Sequence, residues 1–207
     1  MIAAVADVAA VRLIGPAIGR TLGSRSALLL RDSLASTRAL LAAARDLRPI
    51  VGCLLISDRP DVAVLADADG VHLPERGLDP RAVRQILGPD RLVGVSRHDE
   101  AGVVAAFAAG ADYATLSPIW ESPGKGPPLG TAILTDVARA GVGPVLALGG
   151  VDSKRARLAV RAGAAGVAVA RAVTGAPDPA AALEAIARAT REGIREASRR
   201  GNVEPDR

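Results

Sequence analysis

The chain has 207 residues, 49% hydrophobic and 23% charged, long enough for one sizeable core and too apolar for a disordered tail or a collagen-like repeat. Aromatic residues make up only 1%, one each of Phe107, Tyr113 and Trp120, which argues against a base-stacking nucleic-acid platform or an aromatic cage. The net charge of +4 is modest, and Glu192 and Glu196 within the basic stretch Arg188 to Arg200, with Glu184 just before it, stand at helical ion-pairing spacings, so nucleic acid is not an expected partner.

In chain order, short runs rich in Val, Leu and Ile mark strands at Val11–Ile14, Ala27–Arg31, Gly52–Ile56, Gly70–Leu73, Leu92–Ser96, Tyr113–Leu116, Val145–Leu148 and Gly166–Ala170. Ala-rich segments between them predict helices at Ser33–Leu47, Pro60–Ala66, Asp79–Leu87, Asp99–Ala109, Gly130–Ala140 and Ser153–Ala162, with a last one over Pro179–Ser198. Apolar runs that are continuous rather than alternating indicate a parallel sheet covered on both faces. Eight strands at roughly 26 residues per unit predict a single compact (β/α)8 TIM barrel, although a doubly wound open sheet shows the same alternation. The turns Ala68-Asp69-Gly70-Val71, Gly110-Ala111-Asp112-Tyr113 and Gly163-Ala164-Ala165-Gly166-Val167 repeat one small-residue pattern, as equivalent turns around a closed barrel would. No Pro/Gly/Ser-rich linker divides the chain, so residues 1–201 read as one domain and 202–207 as a short loose tail.

The single cysteine, Cys53, excludes an internal disulfide and reads as a small buried hydrophobe. No apolar run reaches membrane-span length, and residues 1–20 lack the basic start and continuous apolar centre of a signal peptide. A cytoplasmic protein without a membrane partner is expected.

In a barrel, chemistry sits at the C-terminal ends of the strands. Leu148-Gly149-Gly150-Val151-Asp152-Ser153 lets backbone approach a ligand, and exposed N–H groups there favour a phosphate; a plain tight turn is the alternative. Ala170-Arg171 closes the neighbouring loop, which completes the pair of loops a barrel uses for phosphate. The long loop from Ser117 to Gly130 carries Lys125, one of two lysines in the chain beside Lys154. Its glycines and prolines suit a lid, and Lys125 a mobile cation for phosphate or pyrophosphate, against the alternative of a solvated surface loop. Asp58 ends a strand and suits Mg²⁺ or substrate orientation, with capping of the next helix as the alternative. His72 lies within an apolar strand and reads as a satisfied core histidine. His72 and His98 are too far apart in sequence to suggest zinc, and no Ser/His/Asp nucleophile elbow is present.

Taken together and in order, several motifs resemble the thiamine phosphate synthase/TenI superfamily over nearly the whole chain. They are Leu55-Ile56-Ser57-Asp58-Arg59-Pro60-Asp61-Val62-Ala63, Ala68-Asp69-Gly70-Val71-His72-Leu73, Gly94-Val95-Ser96-Arg97-His98 and Gly110-Ala111-Asp112-Tyr113. Ser117-Pro118-Ile119-Trp120, Lys125-Gly126-Pro127-Pro128-Leu129-Gly130 and Ala147-Leu148-Gly149-Gly150-Val151 complete the set. The resemblance implies a synthase of thiamine biosynthesis that joins a pyrimidine pyrophosphate to a thiazole phosphate and releases pyrophosphate, assisted by Mg²⁺. Carried over position by position, it implies Arg31 and Lys125 on pyrophosphate, Asp58 on Mg²⁺ and Ser96 on the leaving group. Ser122 would touch the thiazole side, and Gly149, Gly150, Ala170 and Arg171 would hold its phosphate.

The chain departs from the family pattern at named positions. The Gln-Leu-Arg-x-Lys stretch reads Leu29-Leu30-Arg31-Asp32-Ser33, the Asn-Asp pair reads Ser57-Asp58, and the second metal aspartate falls at Gly77. Glu75 or Asp79 is a candidate substitute second ligand. Arg171 stands where the synthases usually carry Ser, and Pro118 stands where the tautomerase branch carries its histidine. Two other readings therefore accompany the synthase: a thiazole tautomerase or other isomerase of a phosphorylated heterocycle, with His98 as a proton carrier, and a non-catalytic phosphate-ligand-binding or regulatory barrel. The resemblance admits a monomer or a small homo-oligomer.

Overall fold

The computed structural model describes residues 1–11, 14–15 and 26–201, the last two by backbone only. Eight parallel strands close into a barrel in sequence order: β1 Ile2–Ala6, β2 Ser26–Leu30, β3 Leu54–Ser57, β4 Gly70–Leu73, β5 Leu92–Arg97, β6 Tyr113–Leu116, β7 Val145–Ala147 and β8 Gly166–Val169. Ring closure pairs Ile2 with Val167 and Ala4 with Val169. Helices follow the strands: α1 Thr37–Leu47, α2 Pro60–Leu65, α3 Pro80–Leu87, α4 Glu100–Ala108, α5 Ala132–Ala140, α6 Ser153–Arg161, the short α7 Arg171–Thr174 and α8 Pro179–Gly201. The expected (β/α)8 barrel is the fold observed. The expected tail, 202–207, lies outside the described residues.

One strand falls elsewhere than the sequence pattern predicts. The first strand is Ile2–Ala6, and Val11 and Ile14 belong to a helical segment, with Arg12 and Leu13 outside the described residues. Val11 and Ile14 are buried three residues apart, the helical spacing. The Asp7 carboxylate accepts from the Ala10 N–H at 2.8 Å, and the Val11 N–H donates to the Asp7 carbonyl at 3.0 Å. Ile2-Ala3-Ala4-Val5-Ala6 escapes a search for branched apolar runs because small residues fill the barrel wall there.

The inner and outer faces of the wall have different compositions. Inside, Ala3, Ala27, Leu29, Leu55, Tyr113, Leu146 and Ala168 form one cluster. Tyr113 occupies space that Gly94 leaves open: a Cβ at Gly94 would lie 2.0 Å from the Tyr113 ring. Outside, aliphatic side chains such as Leu28, Leu54, Ile56, Val71, Val93 and Leu116 meet the helices. At the helix starts, Ser36, Asp79, Asp99 and Asp152 each accept a backbone N–H through the side chain. The first predicted helix begins late for that reason: Ser36 serves as its cap, leaving Ser33 in the loop.

Candidate active site

All eight strand ends contribute to a cavity of about 320 Å³, with Val5, Leu29, Ser57, His72, Ser96, Ser117, Leu148 and Ala170 on its wall. Here the structure brings together Arg31, Ser57, Ser96, Ser122, Lys125, Gly149, Ala170 and Arg171, joined by Glu75 and His98. A second cavity of about 290 Å³ shares Ser122, Leu148, Gly149, Ala170 and Arg171 with the first and adds Gly150, Asp152 and Arg155. The two cavities adjoin at these shared residues, with Arg31 and Lys125 on the first, Arg155 on the second and Arg171 on both. Asp58, exposed and left-handed at φ 57°, and Asp79 line neither cavity.

The floor is a buried polar network. His72 is 4% exposed; its Nδ1 lies 2.9 Å from the Tyr113 hydroxyl and its Nε2 2.9 Å from the Ser96 hydroxyl. Burial, reinforced by the positive charges of Arg31 and Arg97, pushes the His72 pKa down to about 4. The ring is therefore neutral near pH 7, with one nitrogen donating and the other accepting, and it orients Ser96 toward the cavity. At the wall, His98 Nδ1 meets the Ser117 carbonyl, and its Nε2 stands 3.7 Å from Glu75 Oε2. The carbonyl fixes the proton on Nδ1 and leaves Nε2 facing the carboxylate.

The loop from Ser117 to Gly130 is pinned at its base and open at its tip. Its Ser117–Pro118 peptide is cis. Ile119 and Trp120 donate N–H groups to the carbonyls of Leu148 and Gly149, and Leu129 and Gly130 donate back to Pro118 and Ile119. Lys125 projects from the exposed tip. Gly149 and Gly150 have φ of 94° and 65°, and a Cβ would come within 2.7 Å of Pro118 Cα at the first and 2.6 Å of the Glu121 carbonyl oxygen at the second. These glycines thus serve both the turn and the close approach of the loop.

Two arginines tie this loop to the cavity with Gly150. Arg171 Nη2 donates to the Ser122 hydroxyl at 2.9 Å. Arg155 Nη1 donates to the Gly150 carbonyl at 2.7 Å, and its guanidinium carbon stands 5.7 Å from the Trp120 ring centroid. Sequence reasoning passed over Arg155 and the Glu75–His98 pair. A signal for Arg155 was present: helical side chains lean toward the N-terminus, so the first turn after Gly149-Gly150 overhangs that turn.

The residues do not fit a magnesium ion held by the protein alone. Among the described residues, no three His, Cys, Asp or Glu side chains converge on one point. Asp79 Oδ1 accepts from the Arg81 N–H at 2.7 Å, and Glu75 faces His98. At Gly77 a Cβ would lie 2.8 Å from Pro74 Cδ, so a side chain there would require this turn to shift. A cavity of about 520 Å³ at the opposite barrel end offers no rival site. Its arginines are spent on carboxylates, Arg48 on Asp69 at 3.3 Å and Arg91 on Asp67 at 2.8 Å. Burial pushes the Cys53 thiol there up to about 11, which leaves it unreactive near pH 7.

A family model described as thiamine monophosphate synthase matches residues 17–173. The thiamine-phosphate synthase of Roseiflexus castenholzii is 42% identical over 171 residues, covering 79% of this chain and 75% of that protein. That of Mycobacterium bovis is 38% identical over 160 residues, covering 75% of this chain and 71% of that protein. Among solved structures, the thiamine phosphate pyrophosphorylase of Pyrococcus furiosus superposes with a TM-score of 0.81 at 26% identity, over 93% of this chain and 96% of that one. A 3-hexulose-6-phosphate synthase, with a TM-score of 0.67 at 21% identity over 91% of this chain and 99% of that one, shares the fold.

Proposed function

This chain belongs to the thiamine monophosphate synthase family, and from that membership we propose that it makes thiamine phosphate from a pyrimidine pyrophosphate and a thiazole phosphate. One observation carries the reading into this molecule: two adjoining cavities at the strand ends have Arg31 and Lys125 on the first, Arg155 on the second and Arg171 on both. A transfer between two phosphorylated substrates needs cations for both phosphate groups. The first cavity has a neutral floor where Ser96 is held by His72.

In the reaction the bond from the pyrimidine methylene carbon to pyrophosphate breaks, and its electron pair leaves with pyrophosphate. The thiazole nitrogen supplies the pair for the new C–N bond. The protein's work is then to hold the leaving group's growing charge and to align the nitrogen. Arg31 and Lys125 hold pyrophosphate, and Ser96 donates to it. Ser122 lies against the thiazole, and Gly149, Gly150, Ala170 and Arg171 hold its phosphate. Ser57 and Leu29 line the pyrimidine side, where the family's polar contacts are reduced. Mg²⁺ bound with the pyrophosphate would supply further neutralisation of the leaving group's charge, the carboxylates described here being too few to hold it alone.

The test is incubation of the pure protein with both substrates and Mg²⁺, with thiamine phosphate and pyrophosphate measured together. Stoichiometric release supports the reading. Binding of the thiazole phosphate without turnover overturns it in favour of a non-catalytic binding barrel, and isomerisation of a thiazole without pyrophosphate release overturns it in favour of an isomerase.

A further inference from the structure

The barrel spends many arginines on carboxylates: Arg48, Arg84, Arg91 and Arg157 each end on an Asp or Glu. Arg155 and Arg171 form no such ion pair among the described residues, and both line the same cavity. The one carboxylate on that wall, Asp152, is turned to the backbone, its Oδ1 accepting from the Arg155 N–H at 2.8 Å. Two guanidiniums thus line a shared space with neither held in an ion pair among the described residues.

Arg155 is also restrained in place. Its Nη1 reaches the Gly150 carbonyl at 2.7 Å and its guanidinium stands against Trp120. A guanidinium has five N–H donors, and that carbonyl takes one. The rest of a half-fixed planar fork is free for a ligand, at a smaller cost in rotamer entropy than a free arginine would incur.

We infer that Arg155 is a specificity-determining residue, which with Arg171 makes this cavity require a doubly charged phosphate ester and reject the unphosphorylated heterocycle. The inference deepens the phosphate end of the function proposed above and does not depend on the group transfer. A phosphate monoester carries its second charge above a pKa of about 6. One guanidinium leaves part of that charge uncompensated in a partly enclosed site, whereas two match it. Hydrogen bonds between ionised partners are also about twice as strong as neutral ones. Because Arg155 touches Trp120 and Arg171 touches Ser122, both cations contact the same loop. Phosphate in the cavity therefore perturbs the environment of the chain's one tryptophan.

Two substitutions separate charge from structural support. Arg155→Gln keeps an N–H donor for the Gly150 carbonyl and removes the cation; Arg155→Lys keeps the cation and removes the fork. Inorganic phosphate, a thiazole phosphate and its dephosphorylated alcohol are titrated into the full chain, read by calorimetry and by Trp120 emission. Arg155→Gln is expected to weaken both phosphates about tenfold or more and to leave the alcohol within about twofold, with Arg155→Lys in between. Wild-type phosphate affinity is expected to rise with pH through about 6. Equal weakening of phosphate and alcohol would assign Arg155 a purely structural role, and unchanged phosphate affinity would remove it from the site; either overturns the inference. Failure of the synthase reading looks different: wild type makes no thiamine phosphate, yet its discrimination for phosphate still tracks Arg155.

Discussion

The Arg171 guanidinium donates to the Ser122 hydroxyl across 2.9 Å, joining the turn after β8 to the loop after β6. The pair is solvent-accessible, so its contribution to stability is small. Its use is positional. Both groups line the two adjoining cavities, and an anion between them competes with Ser122 for the same N–H group.

Arg171→Ala is therefore expected to raise KM for a thiazole phosphate about tenfold or more, with a smaller effect on kcat. Ser122→Ala should shift that KM less, because the guanidinium remains for the phosphate. Steady-state kinetics with the pyrimidine substrate saturating makes the comparison. An unchanged KM in Arg171→Ala would reduce the arginine to a tether for the loop.

At the other end, Lys125 stands on the exposed tip and Arg31 on an exposed turn, so neither is needed to hold the barrel together. Lys125→Ala and Arg31→Ala should each lower kcat by about 10²-fold, the usual loss for one group that meets charge developing in a transition state. Thermal melts should coincide with wild type. A tenfold rise in KM with an unchanged kcat would instead show uniform binding of the substrate.

The legible and illegible parts of this molecule differ in physical kind. Continuous apolar runs and repeated small-residue turns carried the closed parallel barrel, because strand burial on two faces leaves a direct compositional trace. Ile2–Ala6 lacks a branched apolar run because alanines fill both faces of the wall there, Ala3 inside and Ala4 and Ala6 outside, while Val11 and Ile14 look strand-like but are buried at helical spacing. In the site, residues at strand ends could be placed from topology alone. Arg31, Ser57, Ser96 and Gly149 reach the cavity because the barrel sends every strand end to one face. Arg155 and the Glu75–His98 pair could not be found that way, since their roles come from contacts between different turns. Asp79 shows the converse: a carboxylate at a suggestive distance in sequence is used as a helix cap.

The carboxylate arrangement also predicts how magnesium behaves. No group of three His, Cys, Asp or Glu side chains converges among the described residues, and position 77 is a glycine with no side chain to offer. Calorimetric titration of the free protein with Mg²⁺ is expected to give no saturable heat. With pyrophosphate present, binding should appear, because phosphate oxygens complete the coordination shell. Chelation should then stop turnover without shifting the melting temperature. Saturable Mg²⁺ binding to the free protein would require a protein site that this arrangement does not contain.

His72 ties the site to the stability of the barrel. Its ring is buried between Tyr113 and Ser96, and burial, followed by the charges of Arg31 and Arg97, lowers its pKa from 6.5 to about 4. The unfolded chain binds that proton near pH 6.5 and the folded chain does not until about pH 4, so stability rises with pH across this window. The contribution is fully present above about pH 6.5 and lost as pH falls toward 4, a span worth roughly 3 kcal/mol. Urea midpoints measured from about pH 7 down to pH 4.5 should fall for wild type and fall less for His72→Gln. If both fall equally, other groups carry the acid limb. Protonation also removes the acceptor nitrogen of the ring, so its partners can no longer both be satisfied by a neutral imidazole. In the folded protein that protonation begins only near pH 4, so the activity of folded wild type should hold from about pH 6.5 to 4.5 while its urea midpoint falls.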